Sequence, residues 1–227
     1  MALLIVDPYN DFISEGGKLW PRLKETAEAV DCVKHMRQVV AAARAAGIRI
    51  FIAPHRRWRE GDYADWQSLA PVQRGAAASK VFAEGTWGGD FHPDFQPAPG
   101  DIVASQHWAS SGFANTDLDL LLKKHGISKV VVIGLRANTC IESTVRHAVE
   151  LGYDVTLVRD AIASFGWDEM KAALEVNLPL YASALVSTEE LVAGFRERVG
   201  LESRLATVRE REHEVSTGSA VGAELEH

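Results

Sequence analysis

Cys140 stands where an apolar run, Lys129 to Gly134, gives way to the polar turn Arg136-Ala137-Asn138-Thr139 and then to a helical pattern from Ile141. A thiol at a helix N-terminus faces the positive end of the helix dipole and unpaired backbone N–H groups, and both favour thiolate. Most cysteines are instead small buried hydrophobes, so residue type alone says little. Placement says more. Asp7 closes the first apolar run, and Ser105-Gln106-His107-Trp108 follows another. An acid, a proton-carrying group and a thiol at three equivalent run ends form a pattern for nucleophilic catalysis. Thiolate attack on a carbonyl creates an oxyanion, and the amides of Thr139 and Cys140 are the expected donors.

The elements that must position these residues read as alternating strands and helices. Short runs over 3–6, 48–53, 102–104, 130–133, 155–158 and 183–186 are apolar throughout, as parallel strands covered on both faces should be. Helical patterns fall between or after them over 27–46, 118–125, 141–151, 167–175 and 188–199, and Gly47, Gly126 and Gly152 sit where three of these should end. This order predicts an α/β fold, a Rossmann-like three-layer α/β/α sandwich with a six-stranded parallel sheet and helices on both faces. Ligands of such sheets bind outside the C-terminal strand ends. Residues 1–205 are expected to form one domain, with 55–100 as an excursion serving as a lid or oligomer arm. The polar stretch 206–227 is expected to be disordered, and its closing Leu225-Glu226-His227 looks like the start of a purification tag.

Composition narrows the function classes. A net charge of −7 over 227 residues offers no basic face for nucleic acid. No run approaches the ~20 apolar residues of a membrane helix, and the N-terminus reads as a strand rather than a signal peptide. Two cysteines, Cys32 and Cys140, make no disulfide framework and no Cys-x-x-Cys metal motif, which points to a cytoplasmic protein. No Gly-x-Gly-x-x-Gly follows the first strand, against a nicotinamide cofactor. No cofactor is expected.

The run from Val132 through Cys140 to Ala148 resembles the nucleophile motif of the isochorismatase-like cysteine hydrolases. Leu3-Leu-Ile-Val-Asp-Pro-Tyr-Asn-Asp-Phe resembles that family's first-strand motif, Ser111-Gly-Phe-Ala-Asn-Thr-Asp-Leu-Asp the segment after its third strand, and Val158-Arg-Asp-Ala part of its fifth. The resemblance spans roughly residues 2–195. It implies an Asp-Lys-Cys triad, with Asp7 as the acid and Cys140 as the nucleophile. It also implies a cis peptide before the cysteine, expected between Arg136 and Ala137. The lysine is missing. Counting forward from Asp101 puts Gln106 at its position, and counting back from Ser111 puts His107 there, because the chain carries one extra residue between these anchors. His107 could supply a cation, neutral Gln106 could not, and Lys80 in the excursion is an outside candidate. Family amidases acting on nicotinamide bind a metal through Asp-x-His and a further His after the second strand. Here His55 lacks both partners, so no metal is expected.

Phe12, Trp20, Trp87 and Trp108 are candidate substrate-binding aromatics, with packing of the excursion as the competing role. Arg56, Arg57 and Arg59 could pair a substrate carboxylate or serve as surface ion-pair partners. The expected activity is cleavage of a C–N bond in a small amide, ureide or related compound through a Cys140 acyl-enzyme. The alternatives are vinyl-ether hydrolysis of isochorismate, or a non-catalytic paralogue that lost the lysine. A small-molecule substrate and a homodimer or homotetramer are expected.

Overall fold

The computed structural model describes residues 1–201. The stretch 206–227, expected to be disordered, lies outside them. Six parallel strands form one sheet in the order β3-β2-β1-β4-β5-β6. They are β1 (Ala2–Val6), β2 (Arg49–Ala53), β3 (Ile102–Val103), β4 (Lys129–Leu135), β5 (Asp154–Ala163) and β6 (Ala184–Val186). The order reverses between β1 and β4, the point where an open α/β sheet leaves a crevice at its C-terminal edge.

Both sheet faces are covered, which explains strands without polar alternation. On one face Leu3, Ile5, Val131 and Ile133 pack with Met36, Val39 and Ala43 of helix α3 (Cys32–Ala45). On the other, Leu4, Val6, Val130 and Val132 pack with Leu118 and Leu122 of α5 (Leu118–Lys124) and Val145 and Ala148 of α6 (Glu142–Glu150). Gly47, Gly126 and Gly152 all have positive φ at helix ends. Gly134 has a sharper reason to be glycine. Its φ is +121°, and a Cβ there would stand 2.1 Å from the Val6 carbonyl oxygen. Its absence lets β4 run flush against the end of β1.

Several expectations are corrected. The helix expected over 27–46 is two helices, α2 (Trp20–Ala29) and α3, because Asp31 adopts a left-handed conformation (φ 50°) and turns the chain between them. The helix expected over 167–175 is α7 (Trp167–Lys171), which loosens into a π turn over Ala172–Asn177. The last helix covers 188–201. No helix among the described residues is long and apolar enough to cross a membrane.

The excursion splits into two parts. Val81, Phe82, Phe91 and Phe95 are buried in the first core. Phe82 stacks on Tyr9 with ring centroids 4.5 Å apart, and Tyr9 pairs with Phe91 as an antiparallel bridge. The buried Asp11 carboxylate fastens this part, accepting from the Phe82 amide at 2.7 Å and the Lys18 amide at 3.1 Å. The other part carries α4 (Pro71–Ser79), which has no buried residue.

Candidate active site

Asp7 follows the last residue of β1 in a left-handed turn (φ 52°), a conformation that aspartate tolerates better than most side chains. Its amide donates to Ala53 O at 3.2 Å, and its carboxylate is fully buried beyond the sheet edge. His107 reaches it from beyond β3, with Nε2 3.0 Å from Asp7 Oδ1.

Backbone register explains why the imidazole is there. The Ala104 amide donates to Ile52 O at 2.9 Å, and the His107 amide donates to Pro54 O at 3.0 Å. Two steps along β2 thus face three along the neighbouring segment, which is a β-bulge. The bulge absorbs the extra residue and turns His107 inward. Gln106 is corrected accordingly. Its Oε1 accepts from the Arg57 amide at 3.1 Å, in the loop after β2 and away from the thiol. Lys80 is likewise outside the site, exposed with its ammonium over the Trp58 ring.

Cys140 is buried in a π turn (Ala137–Ile141), and α6 follows from Glu142, one residue after the expected start at Ile141. The cis peptide joins Leu135 to Arg136, one bond earlier than expected, because β4 continues to Leu135 and the turn begins at its end. Asn138 anchors the turn to the end of β5: its side-chain amide lies 2.7 Å from Ser164 Oγ. One expected oxyanion donor is already engaged, since the Thr139 amide donates to Arg136 O at 3.2 Å. The Cys140 amide remains the candidate from that pair.

The thiol's electrostatics also overturn an expectation. Burial pushes the Cys140 pKa well above its ordinary value, and the Asp7 carboxylate adds to the rise by repelling a thiolate and by accepting a hydrogen bond that keeps the proton on sulfur. Opposing this, the Thr139 hydroxyl donates to Sγ at 3.9 Å, and the Arg136 backbone N–H also favours the thiolate. The resting residue is therefore a thiol held against a base, not a free thiolate. Cys140 Sγ, an Asp7 oxygen and a His107 ring nitrogen all lie within 4.8 Å of one another. Buried Asp7 Oδ2 and His107 Nδ1 have no hydrogen-bond partner among the described residues. These three ligand-type atoms are close enough to hold a metal ion. The position after β2 offers instead His55, whose Nδ1 faces Arg56 O at 2.9 Å. The His55 ring stands edge-on to His107, centroids 5.1 Å apart, and burial first, then His107, lowers its pKa to about 4.

A cavity of about 380 Å³ opens above Cys140. Phe12, Phe82 and Phe165 form apolar walls, α4 supplies Pro71, Val72 and Ala76, and two cations, Arg22 and Arg136, face the same space. Of the four candidate aromatics only Phe12 lines it. Trp20 packs against the first core, Trp87 is exposed beside α1 (Asn10–Ile13) with its carbonyl taken by Asn10, and Trp108 lies under the Arg56 guanidinium. None of these three rings lines the cavity. Nor do the candidate arginines: Arg56 pairs with Asp62 at 2.8 Å, Arg57 Nε donates to Gly89 O at 2.7 Å, and Arg59 pairs with Glu84. Arg22, Phe165 and the neighbouring Glu169 were missed from sequence. Arg22 and Phe165 lie on α2 and just past β5, far along the chain from the motif, and only the sheet order brings them to it.

A family model described as the isochorismatase domain matches residues 1–190. The ureidoacrylate amidohydrolase RutB of Pantoea ananatis is 32% identical over 191 residues, covering 79% of this chain and 76% of that protein. N-carbamoylsarcosine amidase from Thermoplasma acidophilum superposes with a TM-score of 0.59 at 26% identity, covering 82% of this chain and 94% of that one. A cysteine hydrolase from Pseudomonas syringae pv. phaseolicola shares the fold with a TM-score of 0.73 at 24% identity, over 86% and 92% of the two chains.

Proposed function

Because this chain belongs to the isochorismatase family, we propose that it is a cysteine hydrolase cleaving a C–N bond of a small amide or ureide through Cys140. The observation that carries this reading is Asp7, buried between a His107 nitrogen at 3.0 Å and the Cys140 thiol, below an apolar cavity. Asp7 takes the thiol proton as Sγ bonds to the carbonyl carbon. The His107 N–H on Oδ1 steadies the carboxylate during that transfer, the part a lysine plays in the family pattern. The tetrahedral oxyanion is met by the Cys140 amide, and its collapse breaks the C–N bond. The departing nitrogen receives the proton from Asp7. Water then attacks the thioester, gives its proton to the Asp7–His107 pair, and releases the thiol. The relatives named for ureidoacrylate and N-carbamoylsarcosine favour a ureide or carbamoyl compound over isochorismate.

Intact-mass spectrometry during turnover of a ureide panel is expected to find an acyl adduct on Cys140, and Cys140→Ala is expected to abolish both adduct and turnover. Turnover retained in Cys140→Ala, or alkylation-insensitive release of pyruvate from isochorismate, would overturn the reading. The protein acts in the cytoplasm, a reading supported by its two free cysteines. It works as a homodimer or homotetramer without nucleic-acid or membrane partners, a reading supported by the large exposed side chains Trp66, Val72 and Trp87 on the excursion.

A further inference from the structure

The cavity's two cations have no counterpart in the chemistry described so far. Arg136 leaves β4 just before the nucleophile turn, and its side chain is only 16% exposed. Nε donates to Thr139 Oγ1 at 3.2 Å, while the two terminal nitrogens have no hydrogen-bond partner among the described residues. Arg22 comes from α2 at the cavity mouth and makes no hydrogen bond or ion pair among those residues. Both guanidinium carbons stand over the Phe165 ring, at 4.0 Å for Arg22 and 4.1 Å for Arg136. Cation–π attraction to this one ring holds both guanidiniums at the cavity wall.

The local charge is unbalanced. Glu169 is the nearest carboxylate, 3.9 Å from Arg136 Nε, but its Oε2 already accepts from Ser164 Oγ at 2.7 Å and the Phe165 amide at 3.1 Å. One committed carboxylate faces two arginines. Burial lowers the Arg136 pKa, and Arg22 adds to this by repulsion. An anion bound in the cavity beside both cations would relieve this repulsion.

The geometry points to Arg22 and Arg136 as a carboxylate clamp that makes this enzyme selective for short ureido or N-carbamoyl carboxylic acids. The inference rests on the hydrolase reading and deepens it. Two contacts link the clamp to the nucleophile, Arg136 Nε to Thr139 Oγ1 and Thr139 Oγ1 to Sγ at 3.9 Å. A carboxylate held there therefore places a ureido carbonyl a few bonds away at Cys140. Bulkier acids are excluded by Phe12, Val72 and Phe165 around the cavity. The same clamp holds the substrate's negative charge away from Asp7, which would otherwise repel it.

The test compares N-carbamoylglycine with its neutral primary amide. The acid is expected to have about 10- to 100-fold higher kcat/KM, mostly through KM. Arg22→Gln and Arg136→Gln should each shrink that ratio several-fold, and Arg136→Lys should restore part of it. Calorimetric binding of the same two compounds to Cys140→Ala protein reads the clamp without turnover. Tighter binding of the acid, lost in Cys140→Ala/Arg22→Gln, supports the clamp even if neither compound is hydrolysed, an outcome that would count against the hydrolase reading alone. Equal affinity for acid and amide, or a preference unchanged by both glutamine variants, overturns it.

Discussion

At the residue scale the site stores its reactivity as a protonated pair. Cys140 is held neutral by burial and by the carboxylate that will deprotonate it. Its reaction with iodoacetamide is therefore expected to climb with pH beyond the free-cysteine value of about 8.5, without the plateau of an activated thiolate. A plateau near neutral pH, followed by mass spectrometry of the labelled peptide, would contradict this account. The second thiol will not confuse the assay, since burial raises Cys32 strongly as well. His107→Gln keeps an N–H donor beside Asp7 but cannot carry a proton. It is expected to lower kcat about 100-fold while circular dichroism stays unchanged. The Cys140 and Asp7 positions were legible in sequence because Asp7 ends one apolar run and Cys140 follows the polar turn after another. The state of the thiol was not, because the helix-dipole argument omits what burial beside a carboxylate does.

At the element scale, β1, β4 and the bulged segment after β3 locate the chemistry, and the excursion closes it in. Gly134→Ala would drive a Cβ onto the Val6 carbonyl at a φ of +121°. The expected cost is at least about 4 kcal/mol, read as a large loss of the denaturant midpoint or as insoluble expression. Asp11→Ala leaves the buried Phe82 amide and the Lys18 amide without their acceptor. A loss of about 2 kcal/mol is expected, with faster proteolysis between residues 60 and 85. The strands were readable because two covered faces demand apolar residues at every position. The break at Asp31 was not, since a left-handed aspartate carries no pattern of its own. Nor were the arginines' partners, which depend on how the excursion folds back.

At the scale of the whole molecule, the buried His55 imidazole makes stability sensitive to acid. Burial holds the folded His55 pKa at about 4 against an unfolded value of 6.5. A depressed folded pKa means that its contribution is complete above pH 6.5 and is lost as pH falls toward 4. The span corresponds to about 3 kcal/mol. Chemical denaturation at intervals from pH 7 to 4 should show this slope in the native protein and a shallower one in His55→Gln. Equal slopes would place the acid sensitivity elsewhere.

The bulge between Ala104 and His107 has a consequence beyond local shape. In an uninterrupted ladder the residue facing His55 would be Gln106 rather than His107, and an uncharged amide would meet Asp7. One added peptide unit replaces that amide with an imidazole. Chain length at this point thus has the effect of a side-chain substitution. The identity of the group beside the nucleophile is set by counting backbone, so a frame change of one residue here would rewrite the catalytic alphabet while leaving every letter of it in the sequence.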